Sequence, residues 1–251
     1  MNDVTIAPAR ATEPVVLSGI NWRALPGDFW IVGGLLGSGR SDFVSTAAGL
    51  QEPAHGSVKI FGRELAGLRE EDIVAERKRI GIVFEGGGKL FNHLTVAENV
   101  ALPLRYHNDW SPDEAEGQVR LALQETGLEK LAGHRPTSLT SSWQHRVGLA
   151  RALALRPEIL FVDKPMSGLD LRHRPWWLEF LSQLSRGTTF TAGKPVTLVI
   201  TADDLKVWSE PGRQFAVLKN RQLVVVGGHA DLGAGDHAAL QEAWEDDLIS
   251  E

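Results

Sequence analysis

Cysteine is absent from this chain of 251 residues. Its absence excludes disulfide bonds and metal sites held by thiolates, and it is typical of proteins from a reducing compartment. No apolar run approaches the roughly 18 residues that a membrane-spanning helix needs. The segment 1–10 is polar and lacks the apolar core of a secretory signal. We therefore expect a cytoplasmic protein that reaches a membrane only through a partner.

An excess of positive charge is also missing. The chain has 26 lysines and arginines against 32 aspartates and glutamates, which gives a net charge of −6 and a pI of about 5.8. Nucleic-acid-binding domains usually show the opposite balance, so we expect no nucleic-acid partner. The hydrophobic fraction of 43% is ordinary for a globular protein. The length suits one large α/β domain or two small ones.

Strand-like apolar runs alternate with helical patterns along most of the chain. This alternation predicts an α/β fold with a mixed or largely parallel sheet and helices on both sides. The helical pattern from Leu94 to Leu155 interrupts it and indicates an inserted helical subdomain. Predicted strands are 29–33, 58–61, 80–84, 159–163 and 197–201, with a hairpin at 214–218 and 222–226. Predicted helices are 40–49, 95–104, 112–127, 142–155 and 175–185, and 231–251 is either a helix or a frayed tail.

The segment Gly34–Ser41 has the spacing of a phosphate loop, G-x-x-x-x-G-K-[ST], with Arg40 at the lysine position. Such a loop holds phosphate with backbone N–H groups and the positive end of the following helix. Arg40 either reaches the phosphate or pairs with Asp42 and blocks the site. Alternatively, the glycines serve only the backbone geometry of a strand–turn–helix. The predicted nucleotide-binding residues are Gly34, Gly37, Ser38, Gly39, Arg40, Ser41 and Asp42.

A second candidate element is the apolar run Ile159–Val162, which ends in Asp163. A buried strand that ends in an aspartate is typical of a magnesium-holding strand. The next residue, where a general base would be wanted, is Lys164. A protonated ammonium group cannot accept a proton from water. The two elements therefore resemble a nucleotide site that lacks its hydrolytic group.

Several stretches resemble, in order and spacing, the ATP-binding cassette of ABC transporters. They are Pro26–Asp28, the phosphate loop, Gly81–Glu85, Leu139–Trp143 with the helix after it, and Asp163–Asp170. The resemblance runs from about Val15 to Val226. The stretch Leu90–Arg105 looks like cassettes of MCE-type transporters, which move lipids between bacterial membranes.

This resemblance implies a single P-loop NTPase-like cassette domain over 1–251, with an N-terminal antiparallel β part. The implied core with its β subdomain covers about 15–93 and 156–226. The implied helical signature subdomain covers about 94–155, and a C-terminal tail covers 227–251.

The resemblance also implies roles for individual residues. Glu85 stands at the family's loop glutamine, Lys164 at its catalytic glutamate and Ala202 at its switch histidine. The implied magnesium ligands are Ser41, Glu85 and Asp163. The implied signature and dimer contacts are Thr140, Ser141, Ser142, Trp143 and Asp170. The adenine-stacking position falls near Ala11.

We therefore expect the ATP-binding subunit of an ABC transporter, peripheral on the inner face of the cell membrane. Its partners would be transmembrane subunits and a second ATP-binding subunit, in a homo- or heterodimer. ATP and Mg²⁺ would be bound weakly or not at all, and hydrolysis would be low or absent because Lys164 and Ala202 replace the catalytic groups. One alternative is an active ATPase in which Glu85, Asp203 or Asp204 orients water. Another is a scaffold outside transport that uses the fold for protein contacts.

Overall fold

A computed structural model describes residues 1–8, 16–210 and 213–228. The described residues form two compact units, one made of those within Met1–Leu68 and from Val199 to Gly228, the other of Arg69–Leu198. The position near Ala11 and the segment 231–251 lie outside the described residues, as does the predicted tail beyond Gly228. In the part of the chain that is described, no helix is long and apolar enough to span a bilayer.

The bounds of the elements within these ranges are as follows. The strands are β1 (Asn2–Ile6), β2 (Leu17–Ile20), β3 (Phe29–Gly34), β4 (His55–Ser57), β5 (Lys59–Ile60), β6 (Arg63–Glu64), β7 (Ile80–Val83), β8 (Ile159–Val162), β9 (Thr197–Ala202), β10 (Gln214–Lys219) and β11 (Gln222–Gly228). The α-helices are α1 (Arg40–Ala47), α2 (Glu70–Arg77), α3 (Val96–Asn108), α4 (Pro112–Glu125), α5 (Ser141–Leu153) and α6 (Arg174–Arg186).

The first unit contains a mixed sheet with the strand order β11-β10-β3-β9. Strand β10 pairs in parallel with β3 and antiparallel with β11. All residues of β3 are buried, as expected of an apolar strand covered on both faces. Strand β1 pairs antiparallel with β2 and β4 in a separate small sheet. The mixed α/β fold and its N-terminal antiparallel part are therefore confirmed.

The second unit holds β7 and β8, which pair in parallel, and most of the helices. Capping boxes begin two of them: Thr95 with Glu98 starts α3, and Ser111 with Glu114 starts α4. In each box the N-cap hydroxyl accepts a hydrogen bond from a backbone N–H that would otherwise lack a partner. Hydrogen bonds from the backbone and side chain of Thr95 lower the pKa of Glu98. The helical region is thus set by local sequence signals.

Three local expectations differ from the structure. The strand expected at 58–61 is shorter than predicted: β5 covers only Lys59–Ile60, and Phe61 and Gly62 turn the chain at φ 50° and 80°. A pair of positive φ values is typical of a tight hairpin turn, here between β5 and β6. The helix expected to end at Leu104 continues to Asn108, with Pro103 inside it. Helix α2 and strands β1, β2, β4 and β6 lie outside the elements predicted from the sequence. The division into core, helical subdomain and tail stays a prediction.

Candidate functional site

The glycine-rich segment of the first unit connects the buried strand β3 to helix α1. The chain adopts positive φ at Gly37 and Gly39, with values of 83° and 88°. Gly39 lies immediately before α1, and a Cβ there would overlap the side chain of Val16. A residue with a side chain would therefore be strained there both in backbone and in packing. The strand–loop–helix arrangement predicted from the glycine spacing is present.

This loop has a buried polar atom that the protein leaves without a partner. The hydroxyl of Ser38 is buried and forms no hydrogen bond. Buried hydroxyls nearly always have a partner, so such an atom needs an explanation. It lies against Gly34, where a Cβ would overlap the Ser38 oxygen. An anionic oxygen at the loop would satisfy Ser38, so the residues present fit a phosphate group.

Arg40, at the position of the phosphate-loop lysine, is engaged within the protein. Its side chain is only 4% exposed. One guanidinium nitrogen donates to the carbonyl oxygen of Ala202 at 2.8 Å, and the other forms an ion pair with Asp203 at 2.6 Å. The carboxylate that pairs with Arg40 is thus that of Asp203, whereas the sequence suggested Asp42. In the alternative of an active ATPase, Asp203 is a candidate for orienting water. In the structure its charge is balanced by Arg40.

In the second unit, the aspartate-ended strand carries a second ion pair. Asp163 follows β8, is 3% exposed, and its N–H donates to the carbonyl of Val83 at 2.8 Å. The next side chain, Lys164, forms an ion pair with Glu85 at 2.6 Å. The hydroxyl of Ser167 donates to the other oxygen of the same carboxylate at 2.7 Å. The residues that the family resemblance places at the loop-glutamine and catalytic-glutamate positions, Glu85 and Lys164, are therefore bonded to each other.

The residues at the signature position begin helix α5. Thr140 is the N-cap, but its side chain forms no capping hydrogen bond. Ser141 is exposed, whereas Ser142 is 2% exposed and its hydroxyl accepts a hydrogen bond from the N–H of Asp170 at 3.1 Å. Trp143 is partly buried next to them. The structure thus brings the signature position together with the loop that contains Asp170.

An aromatic cluster around Arg146 was not found from the sequence. The Arg146 guanidinium lies 3.6 Å from the ring centre of Trp176 and 4.8 Å from that of Trp143, whose ring also contacts His173 edge to face. Burial lowers the pKa of Arg146 to about 10. Stacking on indole faces stabilises a cation that water reaches poorly. No local pattern indicates this cluster, because α5 and α6 come together only in the fold.

His145 makes the stability of this region depend on pH. Burial lowers its pKa below the ordinary 6.5, the charge of Glu85 partly opposes this shift, and His173 adds to it. The unfolded chain then takes up a proton more readily than the folded one. The contribution of His145 to stability is therefore full above pH 6.5 and is lost as the pH falls through the folded pKa.

We expect His145→Gln to reduce the loss of stability on acidification, because glutamine does not titrate. Urea unfolding at about pH 7.5 and about pH 5.5 measures the difference for each protein. The exposed His93→Gln is the matched control and should keep the wild-type difference. Equal pH dependence in the wild type and His145→Gln would contradict this assignment.

Comparison with known proteins agrees with the phosphate-loop architecture. A family model described as ABC transporter matches residues 17–167. The methionine import ATP-binding protein MetN of Bordetella avium (strain 197N) is 34% identical over 218 residues, covering 87% of this chain and 58% of the relative. The lipoprotein-releasing system ATP-binding protein LolD of Psychrobacter arcticus is 32% identical over 224 residues, covering 87% of this chain and 91% of the relative. This chain thus spans little more than half the length of that MetN.

Solved structures give the same result. The dimeric post-hydrolysis state of the ATP-binding cassette MJ0796, bound to ADP and Pi, superposes with a TM-score of 0.76 at 29% identity, covering 88% of this chain and 94% of that one. The cbiO1 structure from Clostridium perfringens shares the fold with a TM-score of 0.77 at 22% identity, covering 99% and 95%. The chain belongs to the ABC transporter family and is an ATP-binding cassette of P-loop NTPase fold.

Proposed function

We propose that this cassette is the nucleotide-binding subunit of a transporter and hydrolyses ATP weakly or not at all. The observation that carries the proposal is the ion pair between Lys164 and Glu85. The family resemblance implies a general base at position 164. The chain has there the ammonium group of Lys164, which is already paired with the Glu85 carboxylate. Loss of a positioned acid or base typically costs a factor of about 10²–10⁴ in rate. Ala202, an apolar side chain at the switch-histidine position, offers no substitute.

Contacts of the three candidate carboxylates, Glu85, Asp203 and Asp204, disfavour an active ATPase with rearranged groups. Glu85 accepts a hydrogen bond from Ser167 and pairs with Lys164, so both of its oxygens are engaged. Asp203 pairs with Arg40. A carboxylate that faces a cation is a weaker base than a free one, so neither group is well suited to take a proton from water. Asp204 also accepts a hydrogen bond, from the backbone N–H of Lys206 at 2.8 Å.

Nucleotide binding is proposed to survive in weakened form. The loop and the buried Ser38 hydroxyl fit a phosphate group, but Arg40 would have to leave Ala202 and Asp203 to reach one. The planar guanidinium group of Arg40 also lacks the compact charge of a lysine ammonium group. The Mg²⁺ ligands Ser41, Glu85 and Asp163 stay a prediction of the family resemblance; their hydroxyl and carboxylate oxygens are of the kind that this ion prefers.

We propose transmembrane subunits and a second ATP-binding subunit as partners, and a place on the inner face of the membrane through them. The dimeric MJ0796 cassette supports the second subunit. The named relatives serve methionine import and lipoprotein release, and the second of these supports the lipid-transport expectation in part. The MCE-type assignment stays a prediction. Co-purification of soluble partners alone would instead favour the scaffold alternative.

The test is calorimetry with Mg²⁺–ATP combined with a steady-state assay of phosphate release. We expect weak or undetectable binding and a turnover close to that of a protein-free blank. A turnover of about 1 s⁻¹ or more, in the range typical of enzymes, would contradict the proposal. If such activity also collapsed in Glu85→Ala, the rearranged-ATPase alternative would be the correct one.

A further inference from the structure

The loop Asp163–Asp170, between β8 and α6, is fastened at both ends to other elements of the second unit. Near its start, Lys164 and Ser167 each contact one oxygen of the Glu85 carboxylate, at 2.6 and 2.7 Å. At its end, the N–H of Asp170 donates to the hydroxyl of Ser142 at 3.1 Å. Two side chains outside the loop, Glu85 and Ser142, therefore account for all three contacts.

The surroundings of these contacts favour one fixed loop conformation. The Lys164 side chain is 12% exposed and that of Glu85 is 45% exposed, so their ion pair is shielded from solvent on the lysine side only. Its backbone has φ 45°, a conformation that residues other than glycine rarely adopt. Such a conformation persists when surrounding contacts hold it. Ser142 is 2% exposed, so its bond to Asp170 is also shielded from competing water.

Three of the residues that make these contacts, Glu85, Lys164 and Ser142, depart from the family pattern, whereas Ser167 and Asp170 match it. The resemblance implies glutamine at 85, glutamate at 164 and glycine at 142. A glutamine–glutamate pair has no opposite charges, and glycine has no hydroxyl. The departures thus supply an ion pair and a hydrogen bond that the family pattern does not contain, and both act on the same loop.

We propose that Glu85 and Ser142 are positioning residues that clamp the Asp163–Asp170 loop in one conformation in the absence of nucleotide. The clamp is an intramolecular property of the second unit. The clamp would keep the Asp163–Asp170 loop ordered before nucleotide binds. That this loop belongs to the nucleotide site rests on the proposed function. At positions 85 and 164, the glutamine and glutamate of the family pattern have in this view been replaced by an ion pair that holds the loop.

Hydrogen exchange of the nucleotide-free protein tests the clamp. We expect Ser142→Gly to speed exchange of the Asp170 amide about tenfold, because this amide loses its acceptor. Glu85→Gln should speed exchange of the amides of Lys164, Met166 and Ser167, since the glutamine lacks the charge that holds Lys164. The matched control is Ser141→Gly, at the exposed neighbouring position of the same helix turn, and it should leave both groups of amides unchanged.

A double-mutant cycle between Glu85→Gln and Lys164→Met gives a second readout. We expect the unfolding equilibrium constants to show a coupling of about fivefold between the two positions. Conservative Lys164→Arg should keep wild-type exchange in the loop.

Unchanged exchange of the Lys164, Met166 and Ser167 amides in Glu85→Gln would overturn the clamp, as would equal effects of Ser142→Gly and Ser141→Gly. These outcomes are independent of catalysis. Fast phosphate release by the wild type, with the expected exchange pattern intact, would overturn the proposed function and leave the clamp standing. Release at background with unchanged exchange in Glu85→Gln would do the reverse.

Discussion

Restoring the family's groups at four positions together is expected to raise the ATP hydrolysis rate about 10²–10⁴-fold above the wild type. The substitutions are Arg40→Lys, Glu85→Gln, Lys164→Glu and Ala202→His. The new glutamate at 164 returns a general base. The new histidine at 202 returns a polar side chain at the family's switch position. The new lysine places a compact charge at the phosphate loop. Phosphate release under saturating Mg²⁺–ATP is the measurement.

The ion pair explains why a single reversion should fail. Lys164→Glu alone would place a second carboxylate where the ammonium now lies 2.6 Å from Glu85. Like charges at such a distance repel, and the loop would lose one of its contacts. We expect this single variant to stay near background. Replacing Lys164 by glutamine in the fourfold variant is the control, since the amide cannot act as a base. A fourfold variant at background would show that the lost groups are not what limits hydrolysis.

Gly148→Ala is expected to destabilise the protein by about 3 kcal/mol. Gly148 lies within α5, and the backbone of Gly87 crosses the helix at this point. A Cβ at Gly148 would overlap the Gly87 carbonyl oxygen and lie 2.6 Å from its Cα. Because both neighbours are backbone atoms, neither can move aside without shifting the turn Glu85–Gly87. Urea unfolding measures the loss.

Gly117→Ala is the matched control for this substitution. Gly117 also lies inside a helix of the second unit, α4, but a Cβ there would meet nothing within 4 Å. Alanine has the better helix propensity, so this variant should gain about 0.5–1 kcal/mol. Opposite signs for the two substitutions are the expected result. Similar changes in both would mean that helix propensity, and not the contact with Gly87, decides the outcome.

Patterns within short stretches were sufficient for much of the fold. Glycine spacing located the loop between β3 and α1, and the pair Ser111-Pro112 located the start of α4. Apolar runs identified β7, β8 and the β10–β11 hairpin. The hairpin turn at Phe61-Gly62 was missed, since a phenylalanine at positive φ is not what turn preferences predict.

Composition, motif spacing and the order of the motifs thus sufficed for the family, while the assignment of residues to the positions of the site stays a prediction. The folded chain alone reveals what those residues do there: Arg40 bonds to a carbonyl 162 residues away, and Lys164 pairs with Glu85 on another segment. Periodicity and capping act between neighbours in sequence and can be read from it. The partner of a buried charge is chosen among all groups that folding brings within a few ångströms, and that choice depends on the packing of the whole unit.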